Sequence, residues 1–224
     1  MPLTVVFDLD GTLVDTAPDL IEALNVVFKG EQLPPVDYAE ARNMIGGGAR
    51  KMIEAGLKYQ GQAASPGDIE RMFRAFIDHY SAHVADRSQP FPGLDNALDE
   101  LQAQGCRFAV CTNKLEALSR QLLKVLDLTR RFEVICGQDT FRIQKPDPDV
   151  LLRTIEAAGG DPRGSVMVGD SGTDIATARG AGIPIVAVDF GYSETPVAEL
   201  KPDRLISHFD QLPGAVMELA PRVT

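Results

Sequence analysis

Leu3-Thr4-Val5-Val6-Phe7-Asp8-Leu9-Asp10-Gly11-Thr12 is the stretch from which the rest of the chain is read. Its first five residues are apolar or β-branched, which reads as a buried strand, and Gly11 turns the chain out of it. Two acids two residues apart at the C-terminal end of a strand stand where open α/β sheets place their chemistry. Ionised together at ~4 Å and an effective dielectric of ~20, they repel by about 4 kcal/mol. A cation or a shared proton relieves that repulsion, so the segment reads as a metal-assisted catalytic site. The alternative is an edge strand ending in a solvated Asp-Gly turn, and this segment alone leaves it open.

Working outward, the pattern changes from strand to helix after Thr12. Pro18 suits a first helical turn, and Leu20, Leu24, Val27 and Phe28 recur at helical spacing. A second helix is expected from about Asp37, and a third after Gly46-Gly47-Gly48, carrying Met52, Ile53 and Leu57. The longest starts near Pro66, with Ile69, Met72, Phe73, Phe76, Ile77 and Tyr80 as one apolar stripe. Residues 15–85 therefore read as all-helical, and Pro90-Phe91-Pro92-Gly93 marks the return to another unit. From there helices at 94–104, 115–126, 150–158 and up to 181 alternate with strands at 107–111, 132–136, 165–169 and 183–188, the last closing the set. This predicts an α/β fold, a doubly wound parallel sheet with a Rossmann-like core of 1–14 and 86–224. A helical cap domain of 15–85, inserted after the first strand, would cover the sheet's C-terminal edge.

Further strand ends and loops carry complementary groups. Thr112-Asn113 offers a hydroxyl and an amide donor to an anion, Lys145 a point positive charge, and Gly169-Asp170 with Asp174 two more acids beside a helix start. Each has a bland alternative: Thr112 as a cap for a helix beginning near Lys114, Lys145 as a solvated loop lysine, and Asp170 and Asp174 as a helix cap and an exposed face. Their joint appearance at strand ends favours one assembled site. Gly46-Gly47-Gly48 opening a helix offers backbone N–H groups to a substrate carboxylate with Arg50 or Lys51 assisting, against a flexible loop with solvated basic residues. His79 and His83, four apart, lack a third zinc ligand in sequence and read as packing or hydrogen-bonding residues.

The bulk properties exclude several classes. A formal net charge of −10 argues against nucleic acid as a partner, and it means that an anionic substrate needs local positive charge. No apolar run approaches the ~18 residues of a membrane span, and no secretory signal pattern opens the chain, so membrane partners are not expected and a cytoplasmic location is. Cys106, Cys111 and Cys136 show no paired spacing and read as buried reduced thiols. No Gly-Xaa-Xaa-Xaa-Xaa-Gly-Lys loop points to ATP.

Asp8-Leu9-Asp10-Gly11-Thr12, Thr112-Asn113, Lys145-Pro146 and Gly169-Asp170 with Asp174, taken in this order, resemble the haloacid dehalogenase superfamily of phosphohydrolases over essentially the whole chain. Ile45-Gly46-Gly47-Gly48, Pro92-Gly93 and Phe190-Gly191-Tyr192 make it most similar, within that superfamily, to the phosphoglycolate phosphatases. The resemblance implies hydrolysis of a small phosphorylated metabolite, 2-phosphoglycolate foremost, with sugar phosphates and pyrophosphate as alternatives. Asp8 would be the nucleophile that becomes an aspartyl-phosphate, and Asp10 the general acid and base. Mg²⁺ would be held by Asp8, Asp170 and the Asp10 main-chain carbonyl, with Asp174 acting behind them; Thr112, Asn113 and Lys145 would hold the transferring phosphate. Counting four ionised acids against Mg²⁺ and Lys145 leaves the site at −1 and predicts a proton on Asp10. A phosphomutase shares these core residues, and a signalling receiver domain also combines Asp, Thr and Lys at a sheet edge, although a receiver needs neither the second acid nor the cap. The chain is expected to act as a monomer or homodimer.

Overall fold

The computed structural model describes residues 2–220; Met1 and residues 221–224, the end of the expected 86–224 core span, lie outside the described residues. The apolar run forms β1 (Thr4–Phe7), buried along its whole length. The chain enters a helical layer through β2 (Val14–Asp15) and crosses it as α1 (Ala17–Gly30), α2 (Tyr38–Arg42), α3 (Ala49–Tyr59) and α4 (Pro66–Ala82). It leaves through β3 (Gln89–Pro90) and then alternates: α5 (Leu94–Ala103), β4 (Arg107–Cys111), α6 (Glu116–Val125), β5 (Val134–Cys136), α7 (Pro148–Ala157), β6 (Ser165–Gly169), α8 (Gly172–Ala181), β7 (Ile185–Val188), β8 (Arg204–Ile206) and α9 (Leu212–Leu219).

Six strands form one parallel sheet in the order β5-β4-β1-β6-β7-β8. The chain runs from β1 out to β4 and β5 on one side, then back across to β6, β7 and β8 on the other. That reversal at β1 opens a crevice at the C-terminal strand ends, where open α/β sheets bind ligands. Register aligns Phe7 with Val110 and with Val168, so Asp8, Thr112 and Asp170 emerge together at that edge. Strand residues alternate between two cores. Val5, Phe7, Val110 and Val168 pack with Leu98, Leu122 and Val216 of α5, α6 and α9, while Val6, Ala109 and Met167 pack with Leu151 and Ile175 of α7 and α8. The sheet is therefore doubly wound, as the alternation predicts.

The helical layer is built on the expected stripe. Met72, Phe76 and Tyr80 of α4 are buried, with Leu20, Leu24 and Phe28 of α1 and Met52, Ile53 and Leu57 of α3 in the same core. The start of α4 is fixed by Ser65 and Asp68 in a reciprocal capping box ahead of Pro66. Two elements differ from the sequence reading. The span from residue 15 is not purely helical at its base, because Val14 and Asp15 pair antiparallel with Pro90 and Gln89 in a short neck ribbon. The strand at 185–188 is not the last of the sheet: β8 adds an edge and α9 covers it. Cys106, Cys111 and Cys136 are buried and unpaired. No helix among the described residues is long and apolar enough to cross a membrane.

Candidate active site

Asp8 follows β1 directly, and Asp170 and Asp174 flank the start of α8 beyond β6. The three carboxylates are buried, and one oxygen of each lies within 4.8 Å of the others. Every acid of this trio is fixed by the fold. Asp170 accepts from the Thr12 hydroxyl at 2.7 Å on one oxygen and from the Tyr192 main-chain N–H at 2.7 Å on the other. Gly11, at φ +83°, lies so close that a side chain there would run into the Asp170 carboxylate and the Tyr192 ring. Asp174 accepts from the N–H and hydroxyl of Ser171 in the capping box of α8, and its other oxygen takes the Lys145 ammonium at 2.6 Å. Asp8 Oδ1 accepts from its neighbour Leu9 N–H at 2.7 Å and pairs with Lys145 at 2.9 Å. Among the described residues no protein donor reaches Asp8 Oδ2.

Burial pushes the carboxyls of Asp8 and Asp170 well above the usual carboxylate range. The charge of Lys145 opposes this at Asp8, and the adjoining acids reinforce it at both. Burial also acts against the charge of Lys145, but Asp174 and Asp8 outweigh it and hold the ammonium charged. Three crowded carboxylates facing one ammonium form a set of hard oxygen donors with excess negative charge, which suits a divalent cation such as Mg²⁺.

Asp10 stands apart from this trio. Its side chain accepts from the Thr16 hydroxyl at 2.8 Å and from the Lys114 ammonium at 2.8 and 3.1 Å. Lys114 is a residue the sequence reading passed over as a helix start; α6 begins only at Glu116, and the lysine closes over the strand edge instead. Its ammonium also lies over the Tyr80 ring of α4, 4.4 Å from the centroid. Adding this cation brings the count for the empty site, Mg²⁺ included, from −1 to neutrality before a phosphate dianion arrives.

Thr112 and Asn113 come to the same edge. The Thr112 hydroxyl accepts from the Lys114 N–H at 3.2 Å. The Asn113 amide clamps two loops: its Nδ2 donates to the carbonyls of Lys145 (3.1 Å) and Gly46 (3.3 Å), and its Oδ1 accepts from the Lys145 N–H (2.9 Å). The amide side chain is thus engaged with protein, while the Asn113 main-chain N–H meets no acceptor among the described residues.

Over these groups the cap closes a chamber of about 40 Å³, bounded by Asp8, Asp10 and Lys114 below and by Met52, Phe76 and Tyr80 above. Gly46 and Gly48 also line it, but Arg50 does not: it turns outward to Glu70 (2.5 Å) and lies over the Phe73 ring. His79 and His83 stack at 4.5 Å on the surface of α4, with His83 hydrogen-bonded to Asp86 at 2.7 Å. The arrangement brings together a buried carboxylate with one oxygen free of protein donors, a second carboxylate held by Lys114, three clustered acids with the donor chemistry a hard cation takes, and a chamber under the cap.

A family model described as haloacid dehalogenase-like hydrolase matches residues 5–188. The chain is 48% identical over 219 residues to a phosphoglycolate phosphatase of Mesorhizobium japonicum, covering 98% of this chain and 95% of that protein. It is 45% identical over 217 residues to a phosphoglycolate phosphatase of Agrobacterium fabrum, covering 97% and 93%. Among solved structures, one described as a predicted phosphoglycolate phosphatase of Haemophilus somnus superposes with a TM-score of 0.87 at 28% identity, covering 94% of this chain and 96% of that one.

Proposed function

Because this chain belongs to the haloacid dehalogenase-like hydrolase family and is a phosphoric monoester hydrolase that acts on a small phosphate ester, we propose that it hydrolyses 2-phosphoglycolate to glycolate and phosphate with Mg²⁺ as cofactor. The observation that carries this reading is the buried trio Asp8, Asp170 and Asp174 around Lys145, with Asp8 facing a chamber of about 40 Å³ under the cap. The chamber is narrow and closed over by Met52, Phe76 and Tyr80, which suits a short ester. The relatives' names supply the particular substrate.

Asp8 Oδ2, the oxygen without a protein donor, attacks phosphorus in line. The phosphorus–ester bond breaks as the aspartyl-phosphate forms. Asp10, carrying a proton in this step, passes it to the departing glycolate oxygen. It then takes a proton from the water that attacks the aspartyl-phosphate and returns Asp8 with inorganic phosphate. Thr112 offers its hydroxyl to the phosphoryl oxygens, Asn113 its main-chain N–H, and Lys145 its charge. The Asn113 side chain serves by holding the Lys145 loop in place. The carboxylates of Asp8 and Asp170 and the main-chain carbonyl of Asp10 would hold Mg²⁺, with Asp174 fixing Lys145 behind them. When bound, the ion neutralises negative charge on the phosphoryl group.

The test is steady-state phosphate release with Mg²⁺ over 2-phosphoglycolate, hexose phosphates, nucleotides and pyrophosphate. A kcat/KM for 2-phosphoglycolate at least ~100-fold above the others, about 2.7 kcal/mol of discrimination, supports the reading. A flat profile refutes the substrate assignment. No turnover on any ester refutes the hydrolytic one and returns the chain to the phosphomutase and receiver readings.

A further inference from the structure

Lys114 and Tyr80 belong to neither the expected metal set nor the phosphate-binding set, yet both face the chamber. Tyr80 is a buried cap residue whose hydroxyl finds no hydrogen-bond partner within 3.5 Å among the described residues. An unpaired buried hydroxyl is uncommon in native folds, because leaving it unmade costs about 1–3 kcal/mol. Lys114 is also buried, with its ammonium held between the Asp10 carboxylate and the Tyr80 ring. Among the described residues it is the one lysine or arginine that lines this chamber; Lys145, bonded to Asp8 and Asp174, does not. Of the two basic residues considered beside the glycine segment, Arg50 turns away toward Glu70 and Lys51 is exposed and does not line the chamber.

From this juxtaposition we propose that the Lys114 ammonium and the Tyr80 hydroxyl form the subsite for the carboxylate of the substrate, selecting phosphate esters of 2-hydroxy acids. The inference rests on the phosphatase reading above and deepens it. Its geometry follows from Asp10. The ester oxygen must approach the Asp10 carboxyl to receive its proton, and Lys114 touches that same carboxyl at 2.8 and 3.1 Å. A carboxylate one carbon removed from the ester oxygen then falls within reach of the ammonium and of the unpaired hydroxyl beside it. A carboxylate further along a chain, or a neutral alkyl group, leaves both unmatched. The subsite also provides an anionic substrate with local positive charge in a protein whose net charge is −10.

The test compares 2-phosphoglycolate with ethyl phosphate, which has a methyl group in place of the carboxylate, in the wild-type enzyme, Tyr80→Phe and Lys114→Met. The wild-type ratio of kcat/KM values is expected to exceed ~100, to fall about 5–10-fold in Tyr80→Phe and at least ~30-fold in Lys114→Met. Inhibition supplies a readout independent of chemistry: the Ki of 3-phosphonopropionate should rise in both variants by more than that of propylphosphonate. Should Lys114→Met fail to fold, Tyr80→Phe decides alone, since it removes one oxygen and keeps the ring. A proportional loss on both esters with unchanged relative inhibition overturns the subsite and makes Lys114 a positioning residue for Asp10. A wild-type ratio near one refutes the phosphoglycolate reading itself.

Discussion

The acid trio makes a sharp prediction for Asp170→Asn: the metal-free protein becomes more stable at alkaline pH while its response to Mg²⁺ disappears. The ligand oxygens of Asp8, Asp170 and Asp174 lie within 4.8 Å of one another. At that separation and an effective dielectric of ~20, each ionised pair repels by roughly 3.5 kcal/mol, and Asp170 takes part in two pairs. Against this stand the hydrogen bonds from Thr12 and Tyr192, each about 1.5–3 kcal/mol to a charged acceptor, of which asparagine keeps one. Setting the one lost hydrogen bond against both repulsions leaves a net gain of about 4–5.5 kcal/mol, or an increase in Tm of roughly 8–22 °C for a chain of this size. The gain depends on pH with a definite sign. Burial raises Asp8 to about 7 and Asp170 to about 8 from 3.8, so the folded state binds more protons than the unfolded chain between those values. Stability from these groups is complete below pH ~4 and is lost as pH rises through 7 and 8. Thermal melts in EDTA should therefore show the wild type weaker at pH 8.5 than at pH 5.5, with Asp170→Asn ahead at pH 8.5 and the gap narrowing at pH 5.5. Mg²⁺ at 100 times its dissociation constant should raise the wild-type stability by about 2.7 kcal/mol and leave the variant unmoved. If Asp170→Asn melts below the wild type in EDTA at pH 8.5, the acids are held by their hydrogen bonds without mutual strain and the reasoning is refuted.

Asp8→Asn should abolish turnover and acid-stable labelling by radioactive substrate, and a covalent phosphoprotein in that variant would rule out Asp8 as nucleophile. Asp10→Asn should slow alkyl phosphates by about 10²–10⁴-fold and p-nitrophenyl phosphate far less in the phosphorylation step, because nitrophenolate leaves without a proton; equal losses in pre-steady-state bursts would remove the general-acid role. Gly11→Ala, which drives a side chain against Asp170 and Tyr192 from a φ of +83°, should weaken Mg²⁺ affinity by at least ~10-fold in a calorimetric titration, and unchanged affinity would show that the turn adapts.

The sequence was legible where local pattern carries the structure. Apolar runs bounded by turns located β1, β4 and β6, and the residues just past them come together because a parallel sheet brings all its C-terminal ends to one edge. β8 escaped notice because Arg204 and Leu205 are exposed on an edge strand, which leaves Ile206 as its one buried residue and no alternation to read. The neck ribbon escaped because Gln89-Pro90 carries no strand pattern of its own and is defined by its partner some 75 residues away. Lys114 was hidden for a different reason. Its meaning lies in contacts with Asp10, 104 positions earlier in the chain, and with Tyr80 on a helix whose spacing describes only a packing stripe. A charge count made from sequence motifs alone leaves such a cation out.

With Lys114 included, the two buried ammonium groups divide the acids between them. Lys145 bridges Asp8 and Asp174, and Lys114 holds Asp10. Neither is an idle positive charge waiting for a phosphate dianion, so an arriving substrate must either compete for these lysines or find other donors. For the phosphoryl group, donors remain in the Asn113 main-chain N–H and the Thr112 hydroxyl, along with the cation that the acid trio is built to take. For the carboxylate, on the proposed subsite, the competition is local: Lys114 needs only to share one of its three N–H donors, and Tyr80 brings a hydroxyl left unpaired among the described residues. A substrate without the carboxylate gains neither contact and leaves Lys114 fully committed to Asp10. On the proposed reading, selection for the carboxylate and control of the acid that protonates the leaving group converge on one side chain, and exchange of that contact is the step that would distinguish a short acidic ester from a neutral one.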